Sequence, residues 1–185
     1  MAAATVPIDG KDILSSFGDQ YIVADKLLYL SDIHRLDHFI FTKAKEIPGI
    51  LPEAATKGLR ERLIQRYLVT LAQISEITKL TSLFEKSSVD HLFFKGLALS
   101  QLLYEDMSIR SSHDIDLLIR AEDVRETDRL LKNEGYTRIT PEKDPGSKQF
   151  RILISKYHHF KYLCPDRRII LEIHWKTDKY GLFHP

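Results

Sequence analysis

The chain has 185 residues, of which 43% are hydrophobic and 29% charged, enough for one sizeable core or two small ones and unlike a disordered tail. Its 27 Lys and Arg offset 26 Asp and Glu to a formal net charge of +1, which excludes a global field that would recruit nucleic acid or an anionic membrane, so any attraction for phosphate must be local. The single cysteine, Cys164, excludes an internal disulfide and predicts a reducing, cytoplasmic setting; no segment approaches the roughly 18 apolar residues of a membrane span, and "MAAATVPIDGKD" lacks the charged start and apolar stretch of a secretory leader.

In chain order, Ile33, Leu36, Ile40, Ala44 and Ile47 step at three and four, predicting a helix capped at Ser31 or Asp32 and stopped by "PG" at 48 and 49. A longer stripe follows from about Pro52 through Leu59, Leu63, Tyr67, Leu71, Ile74, Ile77 and Leu80 to Phe84, predicting a long helix that ends near "KSSVD". Lys57, Arg60, Arg62 and Arg66 sit on it and read as a solvated basic face balanced by Glu61; a surface for RNA is the lesser reading. After Asp90 the texture changes. "HLFF" reads as a strand, Leu97 to Glu105 as a helix and "DIDLLI" as a strand. "AEDVRETDRLLKNEG" reads as a helix with Gly135 at its C-terminal stop, and "YTRIT" as a short strand. "PEKDPGSK" is a polar loop, and "HHFKYLCPDRRIILEIHW" reads as two strands joined at Pro165 and Asp166. The organisation expected is a helical region over residues 1–88 and an α+β domain over 89–185.

Asp114 and Asp116 interrupt an apolar strand. Residues i and i+2 of a strand share a face, roughly 7 Å apart, so the two carboxylates occupy one small volume. Glu172 alternates with apolar residues in "RIILEIHW", and His174 shares its face; if the two strands are neighbours, three carboxylates converge. Clustered carboxylates raise one another's pKa unless cations neutralise them. Mg²⁺ or Mn²⁺ suits such oxygen ligands together with substrate phosphates, and a pair of ions can stabilise both the attacking and leaving oxygens of a phosphoryl displacement. Upstream, the order strand, Lys95-Gly96, helix offers backbone N–H groups to an anion, with Gly96 permitting close approach and Lys95 and Arg110 adding charge.

The string "KGLALSQLLYEDMSIRSSHDIDLLI" followed by "LEIHW" resembles the nucleotidyltransferase superfamily typified by DNA polymerase beta, and most of all its bacterial branch of largely uncharacterised members with Lys-Gly at the turn. The resemblance covers about residues 60 to 175. It implies a mixed sheet flanked by helices, with Asp114 and Asp116 binding metal and the nucleoside triphosphate. Glu172 matches the third carboxylate, a ligand of the second ion and base near the acceptor hydroxyl; Gly96 matches the turn glycine, and Lys95 replaces a small residue. The activity implied is Mg²⁺-dependent transfer of a nucleoside monophosphate to an acceptor hydroxyl (protein, RNA or small molecule) with release of pyrophosphate. Many superfamily members carry helices beyond the catalytic sheet, so a chain stopping at "KYGLFHP" reads as truncated.

A second reading is a nucleotide-binding or protein-interaction domain of the same fold that has lost turnover, motivated by a long Gly96-to-Asp114 spacing and by His113 where a serine commonly stands. Alone, "DID" could lie on a solvated strand face, Glu172 could pair with Arg167, Arg168 or a basic residue of a neighbouring strand, and Lys95 could be structural. "HRLDH" at 34–38 places two histidines four apart, as in zinc hydrolases, but an amphipathic helix showing its polar face explains it better.

Overall fold

Alternation of apolar and polar residues decides which face of each strand is buried, and the computed structural model follows that alternation closely. It describes residues 23–110, 112–141, 147–164 and 169–177. Residues 1–22, the expected hairpin turn at Pro165 and Asp166 with Arg167 and Arg168, most of the "PEKDPGSK" loop and "KYGLFHP" with the residue before it lie outside the described residues. Among the described residues three helices come first, α1 (Ala24–Ile33), α2 (Asp37–Glu46) and α3 (Glu53–Lys86). They are followed by β1 (His91–Phe93), α4 (Gly96–Tyr104), β2 (Asp114–Ile119), a 3₁₀ turn and α5 (Val124–Asn133). The chain continues through β3 (Thr137–Thr140), α6 (Ser147–Lys156), β4 (His159–Cys164) and β5 (Ile169–His174). It divides into two units between Arg66 and Tyr67, inside α3. No helix among the described residues is long and apolar enough to cross a membrane.

In the first unit the single helix expected across 33–47 is instead two. Arg35 takes a positive φ of 55°, and the backbone N–H groups of Arg35 and Leu36 turn back to Asp32 and Ser31. Ser31 is therefore not an N-cap: it is buried within α1 and its hydroxyl donates to the Leu28 carbonyl at 3.0 Å. Asp37, fully buried, is held by Arg62 at 3.1 Å and Arg66 at 2.7 Å, while Arg66 also reaches Asp32 at 2.5 Å. The basic cluster is thus half structural: Arg62 and Arg66 neutralise a buried acid, and Lys57 and Arg60 stay exposed. The break at Arg35 also separates His34 and His38, so they do not share a helix face. Gly58 allows close approach, since a Cβ there would lie 2.6 Å from Leu28 Cδ1.

In the second unit five strands order as β1-β2-β5-β4-β3, antiparallel except for the parallel pair β2 and β5. One face carries Ile115, Leu117, Phe160, Tyr162, Leu171 and Ile173, which join Leu80 and Phe84 of α3 and Val124 and Leu131 of α5 in a single core. Leu80 and Phe84 thus belong with the sheet. The stripe read along α3 is only partly buried, for Tyr67 and Leu71 are exposed, and the buried positions between Leu59 and Leu80 include Thr70, Gln73 and Glu76. In that polar stretch Gln73 bonds backbone carbonyls of the β2 approach, while Ala72 and Ile77 pack against the core. Helix α6 falls partly where a loop was expected, and Phe150 anchors it in the core. Inside the core Asp128 accepts hydrogen bonds from Tyr162 and Arg138, each at 2.8 Å.

Candidate active site

The face of the sheet away from the core carries the chemistry. Parallel pairing of β2 with β5 sets Asp116 directly opposite Glu172, Asp114 opposite Ile170 and Leu118 opposite His174. Antiparallel pairing of β4 with β5 sets Lys161 opposite Glu172 and His159 opposite His174. Laterally paired residues point to the same side, so two aspartates, a glutamate, a lysine and two histidines share one surface.

Beside Asp116 the chain leaves β1 and enters α4. Lys95 makes the turn at φ 58° and ψ −158°, a region non-glycine residues rarely occupy, at a cost of about 1–3 kcal/mol. Gly96 follows at φ 35°, and a Cβ on it would lie 2.7 Å from Ser112 Oγ. Gln73 reaches across from α3 to the carbonyl oxygens of Ser112 and Asp114, each at 3.4 Å, and the Ser112 hydroxyl lies 2.8 Å from the Asp114 carbonyl oxygen. No side chain caps α4, and its first residues line a cleft of about 190 Å³, counting space open to solvent, with Phe94, Lys95, Gly96, Leu97, Asp114 and Asp116 in its wall.

Each carboxylate has a different set of partners. Burial pushes the Asp116 carboxyl up, but hydrogen bonds to its Oδ1 from His174 and Lys95, both at 3.0 Å, outweigh it and hold the group below the usual range. Glu172 is likewise lifted by burial and lowered further by Lys161, which bonds its Oε1, and by His159 and His174. The Lys161 ammonium is correspondingly raised, first by that bond to Glu172. Burial, with Glu172 opposing it, brings His159 down to about 4, so its imidazole is neutral near pH 7. Asp114, half-buried, makes no ion pair among the described residues, and its Oδ1 lies 3.3 Å from the Ser112 hydroxyl.

Of the residues singled out in the sequence, Lys95, Gly96, Asp114 and Asp116 meet at the cleft. Glu172 lies one strand over, linked to Asp116 through His174, whose Nε2 is 3.0 Å from Asp116 Oδ1 and 3.3 Å from Glu172 Oε2. Arg110 is not in the cleft lining; its backbone N–H donates to Ser100 Oγ at 3.2 Å. The basic partner expected for Glu172 on a neighbouring strand is Lys161. Ser112, Gln73, Lys161 and the pairing of His159 with His174 escaped the sequence reading. Only period-two alternation hinted at the histidines, because register is needed to know which strand residues stand opposite. Among groups of His, Cys, Asp and Glu that could hold a metal ion, His159, Glu172 and His174 come together among the described residues, and "HRLDH" does not.

No curated protein and no solved structure matches the chain. The model of a family described as "Uncharacterised nucleotidyltransferase" does match, over residues 22–183, and the chain belongs to that family.

Proposed function

We propose that the chain transfers a nucleoside monophosphate from a nucleoside triphosphate to an acceptor hydroxyl, using Mg²⁺ or Mn²⁺. The observation that carries this reading is the meeting of Asp114 and Asp116 with the uncapped start of α4 at Lys95-Gly96 in one cleft. The donor set fits a hard divalent ion. Asp114 makes no direct ion pair among the described residues, though Lys161 feels its charge, and both bonds to Asp116 go to Oδ1, which leaves its Oδ2 for a further ligand. An ion held by these two aspartates would offset negative charge on the triphosphate and on the transition state.

The chain's own groups supply positioning. The N–H groups of Gly96 and its successors bind phosphate oxygens, and Lys95, half-exposed, exchanges Asp116 for phosphate. The acceptor oxygen bonds to the α-phosphorus as the bond from that phosphorus to the bridging oxygen of pyrophosphate breaks, and the hydroxyl proton passes to a neighbouring carboxylate. The resemblance assigns that base role to Glu172. Its bond to Lys161, which lowers its pKa, weakens it as a base. The acceptor could be protein, RNA or a small molecule.

A different observation favours a second reading: Asp116 and Glu172 already hold Lys95 and Lys161, which suits a site that binds nucleotide without turning it over. A thermal-shift panel of the four ribonucleoside triphosphates with Mg²⁺ or Mn²⁺ tests both. A ligand at a hundredfold excess over its Kd adds about 2.7 kcal/mol to stability, a rise of roughly 5–11 °C for a chain of this size. Asp114→Asn should abolish the shift without unfolding the protein. Absence of a shift with every triphosphate, or an equal shift in Asp114→Asn and Asp116→Asn, refutes the assignment. A shift without pyrophosphate release on any acceptor favours the second reading.

A further inference from the structure

The antiparallel register of β4 and β5 does something the cleft does not require: it stacks His159 against His174, ring centroids 5.0 Å apart, with the Glu172 carboxylate between their Nε2 atoms. Glu172 Oε2 is 3.3 Å from His174 Nε2 and 3.9 Å from His159 Nε2, and all three donor atoms lie within 4.8 Å of one another. Three ligands placed tetrahedrally about 2.1 Å from a zinc-type ion stand about 3.4 Å apart. One pair is already at that separation and the others close onto it by small side-chain rotations. The His159 side chain makes no hydrogen bond among the described residues, although its Nδ1 is fully buried. Buried imidazoles ordinarily hydrogen-bond, so this ring is short of a partner. His174, a side chain only 3% exposed, bonds Asp116 through Nε2 and leaves its Nδ1 without one. Lys161 grips Glu172 by Oε1 and so presents Oε2 to the histidines, the kind of outer contact that orients a metal-binding carboxylate.

We infer that His159, Glu172 and His174 form a site for a divalent transition-metal ion of the zinc type, distinct in chemistry from the all-oxygen pair Asp114 and Asp116. Two imidazoles and one carboxylate suit Zn²⁺ or Co²⁺, whereas Mg²⁺ takes oxygen and holds its water. A fourth position remains for water or for an oxygen of a bound molecule. The inference does not depend on nucleotide transfer, because the three ligands are set by strand register alone. Through His174, which also touches Asp116, occupation of this site would leave Asp116 with Lys95 as its cation partner.

The test uses the full chain, stripped with a chelator and then dialysed against Zn²⁺ or Co²⁺ in a large excess of Mg²⁺. One ion per chain is expected by elemental analysis, with Co²⁺ giving the visible absorption of a nitrogen-ligated, four-coordinate ion. His159→Gln and Glu172→Gln, checked for folding by circular dichroism, should each weaken binding more than about tenfold, since loss of an outer contact alone costs 10–100-fold. Asp114→Asn should bind Zn²⁺ as the parent does while losing the triphosphate shift, which separates failure of this site from failure of the nucleotide reading. Zn²⁺ displaced by Mg²⁺, or bound equally by the parent and by whichever of the two ligand variants folds, overturns the inference.

Discussion

Replacing Gly96 by alanine probes the turn on which the whole cleft rests. The substitution adds one methyl group at φ 35°, where an L side chain costs about 1–2 kcal/mol. The new Cβ would also stand 2.7 Å from Ser112 Oγ and 3.2 Å from Ser112 Cβ. Ser112 cannot swing aside freely, because its hydroxyl contacts the Asp114 carbonyl oxygen and its own carbonyl accepts from Gln73. Losing one or two such hydrogen bonds adds about 0.5–1.5 kcal/mol each. The total is about 1.5–5 kcal/mol, or a fall in Tm of roughly 3–20 °C. Gly135→Ala serves as the control, with φ 85° and nothing within 4 Å of its Cβ, so it carries the conformational cost alone. Urea denaturation of both variants measures the difference, and a double-mutant cycle with Ser112→Gly should recover part of the Gly96→Ala loss as coupling between the two sites. Equal destabilisation at 96 and 135, or zero coupling to 112, would show that the turn does not press on the strand bearing the aspartates.

Two further outcomes follow from other parts of the molecule. With His159 lowered to about 4 against an ordinary value of 6.5, the unfolded chain binds a proton that the folded chain refuses between those limits, so chelator-treated protein should lose stability as pH falls from 6.5 towards 4. That loss is about 3 kcal/mol at most; the lowered carboxyls of Asp116 and Glu172 add to it below their unfolded values, and urea melts of His159→Gln should be flatter between pH 6.5 and 4. A parent curve flat across that window would refute the argument. In the first unit, Asp37→Ala leaves Arg62 and Arg66 facing an empty buried site and should cost about 3–5 kcal/mol, whereas Asp32→Ala, at an exposed pair, should cost under about 1 kcal/mol. Chemical denaturation giving equal values for the two would discount the burial of Asp37.

How much of this was legible beforehand depends on the range of the interaction. Period-two alternation identified "DIDLLI" and "LEIHW" as strands with acids on one face, and the glycine turn before a helix was visible as Lys95-Gly96. These are local properties, set within a few residues by backbone geometry. The break at Arg35 was not visible, because the apolar spacing from Ile33 to Ile47 runs straight through it and what favours two helices is the burial of Asp37 against Arg62 and Arg66, more than twenty residues away. The inner face of α3 was misread for a similar reason: Gln73 is buried because it bonds the backbone beside Asp114, a partner forty residues distant, while Tyr67 and Leu71 fit the helical stripe and remain exposed.

By itself the sequence determined most of the strands and helices and which side of "DIDLLI" and "LEIHW" is polar, since those follow from chain stereochemistry and the need to hide apolar area. It also carried the motif of the nucleotidyltransferase family to which the chain belongs. Only the tertiary structure decided that β5 lies beside β2 in a register opposing Asp116 and Glu172, and beside β4 in one opposing His159 and His174. A shift of one residue in either pairing would turn those side chains to the other face of the sheet, and register is chosen by the packing of the whole core against α3 and α5, not by any local run of residues.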